Sequence, residues 1–371
     1  MRRRAVRFGA LIAAVACMAM LGTLALWDDG LPDGTATRAG PPGSMPIAVL
    51  GDSISHSYQD GIGFPPGSPD RGGARRAQTF QWTEVLARLR DTELDLGPWV
   101  TWGRPGNVAW ARELIGLPAG RAPKKQDYLY NFANSGGACK NLMGDRMGQR
   151  FRQAPRLVEL MDKDPARWRN GVVVLRMGHN DWAALLDLQA ANPAAPELAA
   201  VTAYCVSQIE ATIRLIHSHH PKTRVLVVGV VNEADDPAQF GLYRSARETA
   251  NLRMSLASFN DALRRLAATD PRRAFFDDAA WFERHWGARG ANGEPDYKSV
   301  AIGTVLQVTN TAGDAPDNAL LEDHHAGLVW NALWAQALVA RLKEAFQLPL
   351  TPIGDDELAR FVARTIKAPG S

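Results

Sequence analysis

Four short, almost wholly apolar stretches stand out along the chain, at 47–50, 172–175, 225–231 and 274–276. Between them the apolar positions take helical spacing. Phe80, Val85, Leu86 and Leu89 mark a helix over 79–90, and others are read over 201–217, 244–268 and 328–346. A strand apolar at every position is one buried on both faces, and strands that alternate with amphipathic helices build a mostly parallel sheet covered on both sides. The pattern therefore predicts one α/β domain over 47–350. The stretches 60–76, 91–127 and 285–320 are read as inserted loops, and 351–371 as a C-terminal tail. Residues 28–46, rich in Gly, Pro and Asp, are read as a linker. No internal repeat is present.

The N-terminus follows a different rule. Arg2, Arg3, Arg4 and Arg7 precede an uncharged apolar run over 8–27, and the first acidic residue is Asp28. A basic start before about 20 apolar residues has the form of a secretory signal or a signal anchor, so 1–27 is read as one of these. The arginines stay inside and the body is exported, to the periplasm or cell envelope or as a secreted protein, with this segment as a membrane anchor if it is not cleaved. The segment also accounts for the apparent basicity of the chain, a formal net charge of +3. Removing its four arginines from 42 basic residues leaves 38 against 39 acidic ones, a net −1. The body thus offers no electrostatic case for nucleic acid. Cys139 and Cys205 are the two cysteines of that body. An oxidising compartment would allow them to pair, but spacing alone does not establish proximity.

In parallel sheets, ligands bind just past the carboxyl ends of strands. Gly51-Asp52-Ser53-Ile54-Ser55 directly follows the stretch at 47–50, and Gly178-His179-Asn180-Asp181 follows the one at 172–175. Asn134-Ser135-Gly136-Gly137-Ala138 is a third polar, Gly-rich segment, and Glu322-Asp323-His324-His325-Ala326-Gly327 opens the last long helix. Together they supply the parts of acyl transfer. A Ser just past a strand exposes its hydroxyl, a His beside an acid serves as its base, and Gly-rich turns with an Asn amide offer oxyanion donors. Position 55 is Ser, so the first segment is not the G-x-S-x-G elbow of α/β-hydrolases.

Gly51-Asp52-Ser53, Gly137, Gly178-His179-Asn180-Asp181 and His325 occur in the order of the four blocks of the SGNH hydrolases, the GDSL esterase/lipase superfamily, which the chain resembles over roughly 45–346. The stretch from Tyr130 to Ala138 is similar to that family's second block with its flank. The resemblance implies a three-layer α/β/α fold of flavodoxin-like type and ester hydrolysis through an acyl-enzyme. It implies Ser53 as nucleophile and His325 as general base. The Ser53 and Gly137 N–H groups and the Asn180 side chain would form the oxyanion hole, with no metal and no organic cofactor. The family's acid is an Asp three residues before the His. Here that position holds Glu322, whereas Asp323 stands two before His325. Spacing favours Glu322 and residue type favours Asp323. Spacing is weighted more heavily, because loop geometry constrains it more tightly than side-chain length, and Asp323 is also a natural helix N-cap.

The function so read is an exported serine esterase acting on a small-molecule, glycan or lipid ester. Acyl transfer to a sugar hydroxyl and a non-catalytic envelope carbohydrate-binding protein are the alternatives. His217, His219 and His220 before Pro221 suit a helix C-terminus better than a metal site. Trp102, Trp110, Trp182, Trp281 and Trp286 are read mainly as packing, and Arg71, Arg75 and Arg76 as part of a solvated loop. Nothing here specifies the oligomeric state.

Overall fold

The computed structural model describes residues 40–41, 43–117, 120–144 and 152–367. The predicted signal or anchor at 1–27 and most of the linker lie outside them. Among the described residues no helix is long and apolar enough to cross a membrane.

Five parallel strands form the central sheet: β1 (Met45–Gly51), β2 (Leu94–Asp95), β3 (Val172–Arg176), β4 (Arg224–Val228) and β5 (Arg273–Phe276). Their spatial order is β2-β1-β3-β4-β5, with Val49 opposite Val174 and Val174 opposite Leu226. This is the flavodoxin-like order, whose switch point lies between β1 and β3.

Alternate side chains along each strand enter different cores. Ile47, Val49, Val172, Val174, Leu226, Val228, Ala274 and Phe276 face one layer, with helices α1 (Trp82–Leu89), α5 (Leu328–Phe346) and α6 (Asp355–Lys367). Ala48, Leu50, Val173, Leu175, Val225, Val227 and Phe275 face the other. That layer holds α2 (Gln153–Met161), α3 (Pro196–His219) and α4 (Ala246–Ala267). Burial on both faces is why these strands are apolar at successive positions. Each fully buried Val or Leu contributes ~1.5–3 kcal/mol.

The predicted three-layer α/β/α fold is therefore present, with three differences in detail. The strand predicted over 225–231 ends at Val228, because the chain leaves the sheet at Gly229. A Cβ there would meet Phe275 Cζ at 2.9 Å, and Asn260 takes over the hydrogen bonds of Val230. The stretches read as loops contain strands, in an antiparallel pair Trp99–Trp102 with Lys125–Tyr128 and in a three-stranded sheet of Ser299–Ile302, Leu306–Ala312 and Asn318–Leu320. Within 351–371, α6 packs onto the domain through Leu358, Phe361 and Val362.

Cys139 and Cys205 form a disulfide, with Cα atoms 5.1 Å apart. It joins the segment just after Gly137 to α3.

Candidate active site

The end of β1 is held by a side chain from another element. Gln153, at the start of α2, accepts from the Gly51 N–H at 2.9 Å and donates to the Gly51 carbonyl at 2.8 Å. A Cβ on Gly51 would lie 2.7 Å from the Arg176 carbonyl, so the close approach of β1 and β3 requires glycine there. Beyond it the chain turns on Asp52, which accepts from the Ile54 N–H at 3.0 Å. Asp52 is fully buried, and burial raises its pKa although His179, Arg176 and His325 are near. This turn presents Ser53, whose own N–H has no acceptor among the described residues.

The second segment returns to the same place. The Asn134 N–H donates to the Gly51 carbonyl at 3.1 Å, and the Gly137 N–H closes a turn onto the Asn134 carbonyl at 2.9 Å. Below it lies a buried polar network. Lys125 Nζ pairs with Asp127 at 2.8 Å and donates to the Ala133 carbonyl at 2.5 Å, and Asn131 Nδ2 reaches Asp127 and the Ser55 carbonyl. These partners satisfy groups that would be costly to bury alone.

The third segment starts at Gly178 with φ 119°, where any Cβ would meet Phe259 Cζ at 2.8 Å. It opens a short helix, His179–Ala183. Asn180 Nδ2 donates to the Gly137 carbonyl at 2.7 Å, and Asp181 accepts from the Cys139 N–H at 2.9 Å. One amide hydrogen of Asn180 is left over from that bond. His179 Nε2 lies 3.0 Å from Glu233. Burial would lower the His179 pKa, but Glu233 outweighs it and raises the value to about 9.

The fourth segment is a tight turn in which the Leu321 N–H donates to the His325 carbonyl at 2.7 Å. Tyr58 Oη and Asn331 Nδ2 both donate to the Ala326 carbonyl at 2.9 Å and tie the turn down. His325 Nδ1 lies 3.4 Å from Asp323 Oδ1 and 3.0 Å from the Asp323 carbonyl oxygen. Glu322 is exposed, and among the described residues its side chain makes no hydrogen bond, while its backbone N–H donates to Asp314 at 3.1 Å. The preference given to Glu322 on spacing is thus corrected. With His324 at φ 61°, the turn carries the nearer carboxylate, Asp323, toward the imidazole.

Arg71 also departs from its reading as part of a solvated loop. It is 4% exposed and forms an ion pair with Asp323, whose carboxylate also accepts from the Arg71 N–H at 2.9 Å. Arg71 Nη1 lies 2.8 Å from His325 Nδ1, and the guanidinium packs on the Phe64 and Tyr58 rings. Burial pushes the Asp323 pKa up, but His325 and Arg71 hold the carboxyl well below the usual carboxylate range.

Ser53, Asn180, Asp323 and His325 line one cavity of about 270 Å³, together with Arg176, His179, Glu233, Asp236, His324 and Trp330. Gly137 is not among the lining residues but lies against the Gly51–Asp52 backbone, where a Cβ on it would come within 3.3 Å of Asp52 Cα. Glu233, Asp236, Arg176 and Trp330 were not singled out from the sequence. The aromatic residues read mainly as packing behave so, with Trp102, Trp182, Trp281 and Trp286 at most 3% exposed, whereas Trp110 is exposed. His219 and His220 share Asp162, and His217 bonds the Thr223 carbonyl.

The doubly wound sheet places Ser53 and Asn180 just past the carboxyl ends of β1 and β3, with Asp323 and His325 in the turn before α5, the setting of an α/β ester hydrolase. Residues 47–276 match the model of the GDSL-like lipase/acylhydrolase family, and the chain belongs to that family. The matched region includes Ser53, Gly137 and Asn180 and ends before Asp323 and His325. Three solved structures are similar to it. A lipase from a goat rumen metagenome has 12% identity and a TM-score of 0.34, over 68% of this chain and 90% of that one. An extracellular lipase from Streptomyces rimosus has 14% identity and a TM-score of 0.37, over 68% and 86%. A catalytic mutant of an acetylxylan esterase from Geobacillus stearothermophilus has 12% identity and a TM-score of 0.33, over 70% and 90%. No curated protein matches the chain significantly.

Proposed function

We propose that the protein is an exported serine esterase that cleaves short-acyl carboxylic esters through an acyl-enzyme on Ser53. The observation that carries this reading is the convergence of Ser53, Asn180, Asp323 and His325 on one cavity. Ser53 Oγ attacks the carbonyl carbon while His325 takes its proton, and the Asp323 carboxylate, 3.4 Å from Nδ1, stabilises the imidazolium that forms. The tetrahedral oxyanion is met by the Ser53 N–H and the free amide hydrogen of Asn180. Gly137 joins as a donor only by sharing the N–H that closes its turn on Asn134. Collapse expels the alcohol with the proton from His325, and water then attacks the acyl-enzyme by the same route.

Cavity size and polarity support a small, hydroxyl-rich substrate. About 270 Å³ leaves little room for a long acyl chain, and the Glu233 and Asp236 carboxylates are natural acceptors for sugar hydroxyls. The apolar N-terminal run and the disulfide support export, since disulfides persist in oxidising compartments. The test is hydrolysis of p-nitrophenyl acetate against longer chains by wild type and Ser53→Ala, scoring free acetate against acetylated sugar acceptor. Activity confined to long chains would overturn the short-acyl reading.

A further inference from the structure

A second serine stands beside the candidate active site in a more completely assembled setting. His56 Nε2 lies 2.9 Å from Asp60, and His56 Nδ1 lies 3.0 Å from Ser135 Oγ. The tautomer is fixed from both sides. The Ser135 N–H donates to Nδ1 at 3.2 Å, so Nδ1 is an acceptor, and the ring proton sits on Nε2 facing Asp60. Asp60 is itself held by the N–H groups of Ile62 and Gln126, both at 2.9 Å. Gly63 packs so closely against it that a Cβ there would meet Asp60 Oδ2 at 2.6 Å. His56 and Asp60 are buried while Ser135 is exposed. Burial, followed by the Lys125 charge, lowers the His56 pKa and favours the neutral ring.

Oxyanion donors are also at hand. The N–H of the residue after a nucleophile is a common oxyanion donor, and the Gly136 N–H has no acceptor among the described residues. Arg71 Nη2 lies 3.4 Å from Ser135 Oγ. Gly136 has φ 74°, and a Cβ on it would meet nothing within 4 Å, which leaves open space beside the hydroxyl.

We propose that Ser135 is a second nucleophile, activated by His56 and oriented through Asp60, that takes acyl groups from small esters able to reach the surface. Ser135 Oγ bonds to the ester carbonyl carbon as its proton passes to His56 Nδ1. The adduct then collapses with cleavage of the ester C–O bond, and the proton leaves with the alcohol. Water attacks the resulting acyl-Ser135 with His56 again as base, releasing the acid and restoring the hydroxyl. Ser135, His56 and Asp60 lie outside the residues lining the Ser53 cavity, and the two settings share one group, Arg71, which reaches both Ser135 Oγ and the Asp323–His325 pair.

The test is covalent labelling with a small fluorophosphonate, followed by reduction, trypsin digestion and mass mapping. Tryptic residues 126–140 contain one serine, Ser135. The expected result is a label on that peptide in wild type and in Ser53→Ala, formed ~10²-fold or more slowly in Ser53→Ala/His56→Asn. An unlabelled 126–140 peptide in wild type overturns the proposal, whatever happens at Ser53. So does labelling at an unchanged rate in a folded His56→Asn protein. If that variant does not fold, the mapping in wild type decides.

Discussion

Asn180 donates from Nδ2 to the Gly137 carbonyl oxygen at 2.7 Å, so the segment after β3 directly supports the segment that follows Asn134. The same amide group has a second hydrogen free for a substrate oxyanion. Replacing it with Ala removes the oxyanion donor and the brace together. Asn180→Ala is expected to lower kcat by ~10²–10³ with a smaller change in KM. Steady-state kinetics on p-nitrophenyl acetate check this, with circular dichroism to confirm the fold.

The two neighbouring acids separate cleanly by substitution. Asp323→Asn removes the carboxylate beside His325 and should cost ~10²–10⁴ in turnover, whereas Glu322→Gln alters an exposed side chain. Its stability effect should stay within ~0.5 kcal/mol and its turnover near wild type.

Asp323 also carries a pH signature. Its folded pKa is depressed below the unfolded value, so its charge contributes stability that is fully present above about pH 4 and is lost as pH falls below it. The stability difference between wild type and Asp323→Asn should therefore be constant at pH 5–7 and shrink by pH 3. Urea unfolding at the two ends of that range measures it.

His179 runs the other way. Its folded pKa of about 9 exceeds the ordinary 6.5, so its ion pair with Glu233 contributes fully below pH 6.5 and fades as pH rises through 9. In Glu233→Gln the imidazole loses its nearest carboxylate, and its titration by NMR should move to lower pH.

The Cys139–Cys205 bridge closes a loop over a sequence separation of 66 residues. Cys139→Ser/Cys205→Ser is expected to lose about 2–5 kcal/mol of stability in denaturant unfolding. The N–H of residue 139 that donates to Asp181 is a backbone group and is kept in that variant, so turnover at temperatures where it stays folded should change less than stability.

What was legible in the chain followed local rules. The runs at 47–50 and 172–175 read as strands because burial on both faces leaves no polar positions. Ser53, Asn180 and His325 read as chemistry because each follows a strand or opens a helix. The choice between Glu322 and Asp323 was not legible, since it depends on the path of a turn with His324 in the left-handed region. Nor was Arg71, whose burial is decided by a carboxylate 252 positions away. Strand Trp99–Trp102 is only half-buried and Leu306–Ala312 carries Gln, Thr and Asn, so neither showed a continuous apolar run. Helix α6 did leave a signal in Leu358, Phe361 and Val362, spaced as one face of a helix.

The most direct test of the central claim is to trap the acyl-enzyme. Rapid acid quench during turnover of p-nitrophenyl acetate, followed by peptide mass mapping, reports where the acetyl group resides. The account predicts an acetyl ester on Ser53, absent in Ser53→Ala, with turnover of that variant down by ~10³-fold or more. Wild-type turnover in Ser53→Ala, with no acetyl group ever found on Ser53, would contradict it.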